Sequence, residues 1–186
     1  AKESPADDDS PGEGPVPRSP EWLAQVRAAA EAGWLGRHIL LHLGDHCLLR
    51  VDHALYSWGD NTHGQLGREV PEPACETASH AVPAPVPFFQ KGQRALSCAV
   101  GYAHSTVLCP DGVYVFGALA GQQWPTTTRI PFRAEQTARW VASGDCSSHF
   151  FVACERSLWA MGSNASGELG LGSADPGAST TGLVEV

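Results

Sequence analysis

From residue 38 onward the chain alternates between short apolar runs and turn-forming residues. The runs are HILLHL at 38–43, CLLRV at 47–51, ALYSW at 54–58, ALSCAV at 95–100, AHSTVLC at 103–109, GVYVF at 112–116, RWVA at 139–142, HFFVAC at 149–154 and SLWAM at 157–161. They are short, poor in helix formers and bounded by Gly, Pro, Asp or Ser, a texture that predicts β-strands. Pro110-Asp111-Gly112 stands between two of them. Pro presets one turn angle and Gly accepts the left-handed one, so a tight hairpin is predicted there. The proline-rich stretch 68–87, REVPEPACETASHAVPAPVP, has no periodicity and reads as a surface loop.

Ahead of the strands the pattern is different. Trp22, Leu23, Val26, Ala29 and Ala30 recur at helical spacing. Ser19 is a good N-cap, Pro20 suits the first helical position, and Gly33 is a plausible stop. A helix over 20–32 is predicted, within a helix-and-connector segment at 19–36. Residues 1–18, AKESPADDDSPGEGPVPR, are acidic and rich in Pro, Gly and Ser. They carry too little apolar surface to offset the entropy of ordering, and a disordered tail is predicted.

The strand region repeats itself. LYSWGDNTHGQLG at 55–67 and LWAMGSNASGELG at 158–170 agree at six of thirteen positions: Leu55/Leu158, Gly59/Gly162, Asn61/Asn164, Gly64/Gly167, Leu66/Leu169 and Gly67/Gly170. Three units follow from this. Each opens with a strand ending at a glycine (Gly44, Gly101, Gly144) and continues through a strand–turn–strand. An aromatic or Met then precedes a second glycine (Trp58-Gly59, Phe116-Gly117, Met161-Gly162), and a loop closes on a third (Gly64, Gly121, Gly167). The units span about 38–90, 91–136 and 137–186, in one repeat domain over 37–186. Strand-built units of this length stack as blades of a propeller or a similar array.

On these residues the chain resembles the regulator-of-chromosome-condensation repeat family. That family's signature is an aromatic-Ser-Trp-Gly-x-Asn-x-x-Gly-Gln-Leu-Gly phrase, and LYSWGDNTHGQLG matches it closely. GYAHSTVLCPDGVYVFG at 101–117 resembles the preceding half of the same unit, a Gly-x-x-His-Ser strand and an Asp-Gly hairpin. The middle unit then drifts: GALAGQQW lacks the Leu-Gly. The resemblance covers about 38–186. It implies four-stranded antiparallel blades arranged radially, normally seven. The fold expected is therefore mainly β, a partial propeller of about three blades with one N-terminal helix. An arc of three blades would leave sheet faces open at its ends, and open apolar faces associate. The chain is thus expected to be part of a longer protein or to have partners that cover those faces.

Composition narrows the functional classes. The net charge of −8 and the absence of any Lys/Arg run argue against direct DNA binding. The apolar stretches fall far short of a membrane span, and no basic–apolar–small signal peptide opens the sequence. The six cysteines form no C-x-x-C, in a domain large enough to bury a core. Reduced, mostly buried thiols are expected, and with them an intracellular reducing compartment.

Candidate chemistry is sparse. His38, His42 and His46 suggest a metal site only on a helix; on a strand, residues four apart are separated by about 13 Å. His104-Ser105 resembles a base–nucleophile pair. In the resembled family it belongs to the repeat, which implies a strand residue bonding a neighbouring blade, and His149 is its counterpart in the third unit. The glycine-rich 167–172 lacks the Lys of a phosphate loop. Asn164-Ala165-Ser166 is a formal glycosylation sequon inside the repeat phrase. No cofactor, metal or catalytic residue is predicted. The residues expected to carry structure are Gly44, Trp58, Gly59, Asn61, Gly64, Gly67, Gly101, His104, Gly117, Gly121, Gly144, Gly162, Asn164, Gly167 and Gly170. Trp22 and Trp124 lie where the repeat is weakest and are the candidates for contact with a partner, with core packing the alternative for both.

The function expected is a non-catalytic protein–protein interaction module or structural subunit in a larger assembly. Two alternatives come with the resemblance. One is guanine-nucleotide exchange on a small GTPase of the Ran type, the activity of the family's founding member, with the 68–87 insert as a positional candidate for the contact. The other is a substrate-recruiting part of a multidomain ubiquitin ligase or kinase.

Overall fold

The computed structural model describes residues 39–70, 82–90, 92–131, 137–172 and 179–186. The predicted tail 1–18 and helix 20–32 lie outside these, as does the middle of the 68–87 insert. Among the described residues, twelve strands form three four-stranded antiparallel sheets in strict chain order. The first holds β1 (Ile39–Leu43), β2 (His46–Val51), β3 (Ala54–Gly59) and β4 (Ala84–Pro85). The second holds β5 (Ser97–Val100), β6 (His104–Cys109), β7 (Gly112–Leu119) and β8 (Gln122–Ile130). The third holds β9 (Ala138–Ala142), β10 (His149–Cys154), β11 (Leu158–Gly162) and β12 (Thr180–Glu185). This is the expected partial propeller of three blades.

The sheets pack face to face through two apolar clusters. Leu48 and Leu55 of the first sheet meet Val100, Val107, Tyr114 and Phe116 of the second, with Val86 and Phe89 closing one side. Leu108, Val113, Val115 and Leu119 of the second meet Val141, Phe150, Val152 and Met161 of the third. Fully burying a side chain of this size contributes about 1.5–3 kcal/mol, so the junctions between sheets are the core. The alternation of strand side chains assigns one face of the middle sheet to each neighbour. Val107 and Cys109 pack toward the first sheet, Leu108 toward the third. That is why β6 is buried along its whole length, HSTVLC, polar residues included.

The inner strands converge, with β5 touching both β1 and β9. The turns that follow them also meet. Tyr102 N–H donates to Ser147 O at 2.9 Å, and a Cβ on Gly44 would stand 3.4 Å from that of Asp145. The β1–β2, β5–β6 and β9–β10 turns thus gather on one face, joined there by the loops that follow β3 and β11, since β2 begins opposite the end of β3 (His46 beside Gly59) and β10 opposite the end of β11 (His149 beside Gly162).

Two features depart from the expectation. The 68–87 insert is not loop throughout: Ala84–Pro85 return as β4, paired with Tyr56 and Ser57, and Val86 is fully buried. Proline is tolerated there because β4 is an edge strand and its missing N–H interrupts no ladder. The middle unit also lacks the loop seen after β3 and β11. β7 runs into β8 through a two-residue hairpin, Ala120-Gly121, both with positive φ (48° and 81°), as primed hairpin turns require. Gly121 is therefore a hairpin-tip residue and not the counterpart of Gly64 and Gly167.

Candidate functional site

Register makes the three sheets superposable position by position. His46, His104 and His149 each pair with the glycine that ends the third strand: Gly59, Gly117 and Gly162. Those glycines have φ of 101°, 100° and 124°. A Cβ there would lie 2.5, 2.3 and 2.4 Å from the carbonyl oxygens of Asp45, Ala103 and Ser148. Each of those oxygens accepts the N–H of the residue after the glycine, Asp60, Ala118 and Ser163, at 2.9, 2.7 and 2.8 Å. The aromatic-or-Met–Gly step in the sequence thus has one cause in all three sheets. The strand must turn against a backbone oxygen that no side chain allows so close.

The echoed phrase is one loop built twice. Asn61 Oδ1 accepts Leu66 N–H at 2.9 Å, and Asn164 Oδ1 accepts Leu169 N–H at 2.9 Å. Gly64 N–H donates to Asn61 O and Gly67 N–H to Gly64 O; Gly167 and Gly170 repeat both bonds. Gln65 Oε1 accepts His63 N–H, and Glu168 Oε2 accepts Ser166 N–H. Leu66 and Leu169 point inward and are fully buried. Asn164 is itself buried, with its carbonyl committed to Leu169, so the sequon it heads is not presented at the surface. Burial alone would raise Asp60, but hydrogen bonds from Thr62, Gln65 and the Asn61 N–H hold its carboxyl below the usual range.

The loop's contacts with the neighbouring sheet differ between its two copies. Gly67 lies against the Phe116 ring, where a Cβ would come within 2.8 Å. Ser105 Oγ donates to Gln65 O at 2.8 Å, which leaves its lone pairs for His46 Nε2 at 2.9 Å. A polar chain, His46–Ser105–Gln65, therefore crosses from the first sheet to the second. His104 stands at the next junction with neither ring nitrogen partnered. The position corresponding to Ser105 is Phe150, whose ring centroid lies 6.0 Å from that of His104. Burial pushes His104 down to about 3, with His46 and His149 adding to the effect. Burial likewise holds His46 down to about 4, against the pull of Asp60 and Asp45. Both imidazoles are neutral. The reading of His104-Ser105 as a bond to a neighbouring sheet therefore fits Ser105 and not His104.

The remaining candidates fall as follows. Gly101 lies beneath the His104 ring and Gly144 beside Ser147. Gly44, at the β1–β2 turn, is exposed. Trp58 is half-buried. Trp124 is only 6% exposed and packs in the cluster between the second and third sheets, so the core alternative holds for it. Trp22 lies outside the described residues. Trp140, which the sequence offers as either a core anchor or an interface contact, is 51% exposed; sequence reasoning missed exposed Tyr102, to which the repeat pattern gives no special position. Of the described cysteines Cys98 and Cys109 are buried, and all five are free thiols. Among the described residues no three His, Cys, Asp or Glu side chains are grouped to hold a metal, and no helix is long and apolar enough to cross a membrane.

Residues 52–108 match the family model of the Regulator of chromosome condensation (RCC1) repeat. The matched span begins in the β2–β3 turn of the first sheet and ends within β6 of the second, so it straddles a junction. No curated protein sequence matches the chain. Among solved structures, human WBSCR16 is similar at 22% identity and a TM-score of 0.64, over 80% of this chain and 39% of its own. Prp20p from Saccharomyces cerevisiae, studied for its binding to Gsp1p and histones, is similar at 21% identity and 0.59, over 71% and 34%. Yeast RCC1 (Prp20) bound to Kap60 is similar at 21% and 0.53, over 67% and 30%. The chain spans about a third of the length of the structures it matches. These likenesses establish the propeller fold.

Proposed function

The chain being built of chromosome-condensation-regulator repeats folded as propeller blades, we propose that it is a non-catalytic interaction module, a structural subunit whose sheets dock other protein surfaces. One observation carries this reading. The face of the third sheet turned away from the second leaves Trp140 51% and Leu158 37% exposed, whereas the positions they correspond to in the second sheet, Ser97 and Val113, are buried. A face built as a junction is open among the described residues. Affinity purification followed by sedimentation tests it: the protein should travel in an assembly heavier than its own 19.7 kDa. A folded, monodisperse monomer overturns the reading.

The second reading is exchange of guanine nucleotide on a small GTPase. It is supported by the likeness to Prp20p, studied for its binding to Gsp1p, and by the gathering of turns on one face. A nucleotide-release assay with a Ran-type GTPase tests it, and no acceleration at micromolar protein removes it.

A further inference from the structure

The two internal junctions differ at one strand position, and the difference follows a loop. At the first, the small Ser105 of β6 stands between His46 of the first sheet and the loop after β3. Gln65 O accepts the Ser105 hydroxyl at 2.8 Å, and His46 Nε2 lies 2.9 Å from the same oxygen. The loop also fills the space nearby: a Cβ on Gly117 of the second sheet would come within 3.1 Å of Gln65 Cβ. The second sheet lacks this loop, because β7 turns directly into β8 at Ala120-Gly121. It has no such loop carbonyl to offer, and the residue that meets it in Ser105's place is Phe150, fully buried beside His104. A sheet with the loop thus receives a small hydroxyl, whose burial requires bonding partners. A sheet without it receives a ring that fills the volume, as close packing requires.

The third sheet has the loop. Asn164, Gly167, Leu169 and Gly170 repeat its internal bonds, and Glu168 holds the place of Gln65. His149, paired with Gly162 as His46 is with Gly59, faces away from the second sheet beside Phe151, with 5.7 Å between ring centroids. Where the junction is filled, His46 and Gln65 are fully buried. On the third sheet His149 and Glu168 are half-buried. Val186 lies over Gly170, where Phe116 lies over Gly67, so an occupant of this face needs no aromatic anchor at that seat. The pair that grips a hydroxyl is what the face still presents.

We propose that the outward face of the third sheet selects its occupant by a serine or threonine hydroxyl: it docks a further sheet of the same repeat type, whose second strand places that hydroxyl between His149 and Glu168 O. The hydroxyl donates to the carbonyl and accepts from the imidazole, as Ser105 does between Gln65 O and His46. His149 and the Glu168 carbonyl are thereby specificity-determining groups, and the loop excludes a phenylalanine from the hydroxyl's place. Taking this face as a docked one rests on the interaction reading above; the chemistry of the occupant goes beyond it.

Two experiments test it. In the chain itself, Ser105→Phe should lower the urea midpoint further than Ser105→Ala, because the loop occupies the space a ring needs; equal midpoints overturn the rule of size. In the native protein carrying Trp140→p-benzoylphenylalanine, light-induced crosslinking and mass spectrometry identify the strand seated on the face. The expected strand belongs to a sheet of this repeat and carries Ser or Thr directly after its histidine. His149→Leu, and the change of that Ser or Thr to Ala, should each raise the dissociation or unfolding constant about tenfold. Together they should raise it by little more than about tenfold, since both remove the same bond. Losses that multiply overturn the proposal, as does a captured strand with an apolar residue at that position, or no capture while circular dichroism shows the sheets intact. A hydroxyl-bearing strand from another polypeptide upholds both readings. One from the same polypeptide upholds the proposal and removes this face from the interaction reading. A partner segment of another kind overturns the proposal and leaves the interaction reading standing.

Discussion

The junction between the first and second sheets and the one between the second and third use the same strand positions and fill them differently. At the first, a serine meets a histidine, and a loop carbonyl accepts the serine's O–H hydrogen bond, so His46–Ser105–Gln65 joins the sheets at 2.9 and 2.8 Å. At the second, a phenylalanine stands where the serine would be, and His104 faces it with both nitrogens unpartnered. Thr106 Oγ1, one residue on, is buried and unpartnered too. The first junction is specified by polar geometry as well as by packing. The second relies on apolar packing. Both carry buried unpartnered polar atoms, His46 Nδ1 at the first and both His104 nitrogens and Thr106 Oγ1 at the second, at a cost of about 1–3 kcal/mol of lost hydration each. One repeat can therefore be held to its neighbour in two chemical ways without change of register.

The largest effects should come from the packing both junctions share. Phe116→Ala and Phe150→Ala each empty a fully buried site, and each should lower unfolding free energy by about 3–5 kcal/mol in urea titration. Near-equal losses would show that the junctions depend equally on their aromatic anchors.

Acid should act next. His46 and His104 have folded-state values near 4 and 3 against 6.5 unfolded. Between those values the unfolded chain takes up protons that the folded chain refuses, so falling pH favours unfolding. The stability is complete above about 6.5 and drains as pH drops toward 4 and then 3. His104→Leu should flatten that decline in urea midpoints measured from pH 7 to 4. An unaltered slope would mean that His104 is not the buried neutral group described.

Ser105→Ala removes one donor and strands both His46 Nε2 and Gln65 O; a loss of about 1–3 kcal/mol is expected. Smallest of all, Thr106→Val exchanges an unpartnered hydroxyl for a methyl and should be roughly neutral or slightly stabilising by the same titration. If Ser105→Ala proved as harmless as Thr106→Val, the polar link across the first junction would carry no energy.

Much of this was legible in the sequence. The apolar runs marked β2, β3, β6, β7, β10 and β11 because those strands are buried on at least one face and flanked by turn residues. The positive-φ glycines announced themselves by recurring in the Trp-Gly, Phe-Gly and Met-Gly steps. The outer strands were harder. Gln122–Ile130 reads QQWPTTTRI and Thr180–Glu185 reads TTGLVE, because an outer edge meets solvent and has little apolar requirement. Ala84–Pro85 looked like loop for the same reason. The His46–Ser105 link could not be read at all: the partners lie 59 residues apart, and the repeat alone would have promised His104 the same bond. Only the phenylalanine at 150, set against the serine at 105, hints that the promise is broken.

The stretch recognised as a repeat, 52–108, begins in the middle of one sheet and ends in the middle of the next. A tandem duplication of that stretch would not insert a free-standing blade. It would insert two half-blades, each completed by strands already in place on either flank. A new copy grown this way is stitched into its neighbours by backbone hydrogen bonds from the start, so an arc can lengthen without ever passing through a form in which a sheet hangs on by side-chain packing alone.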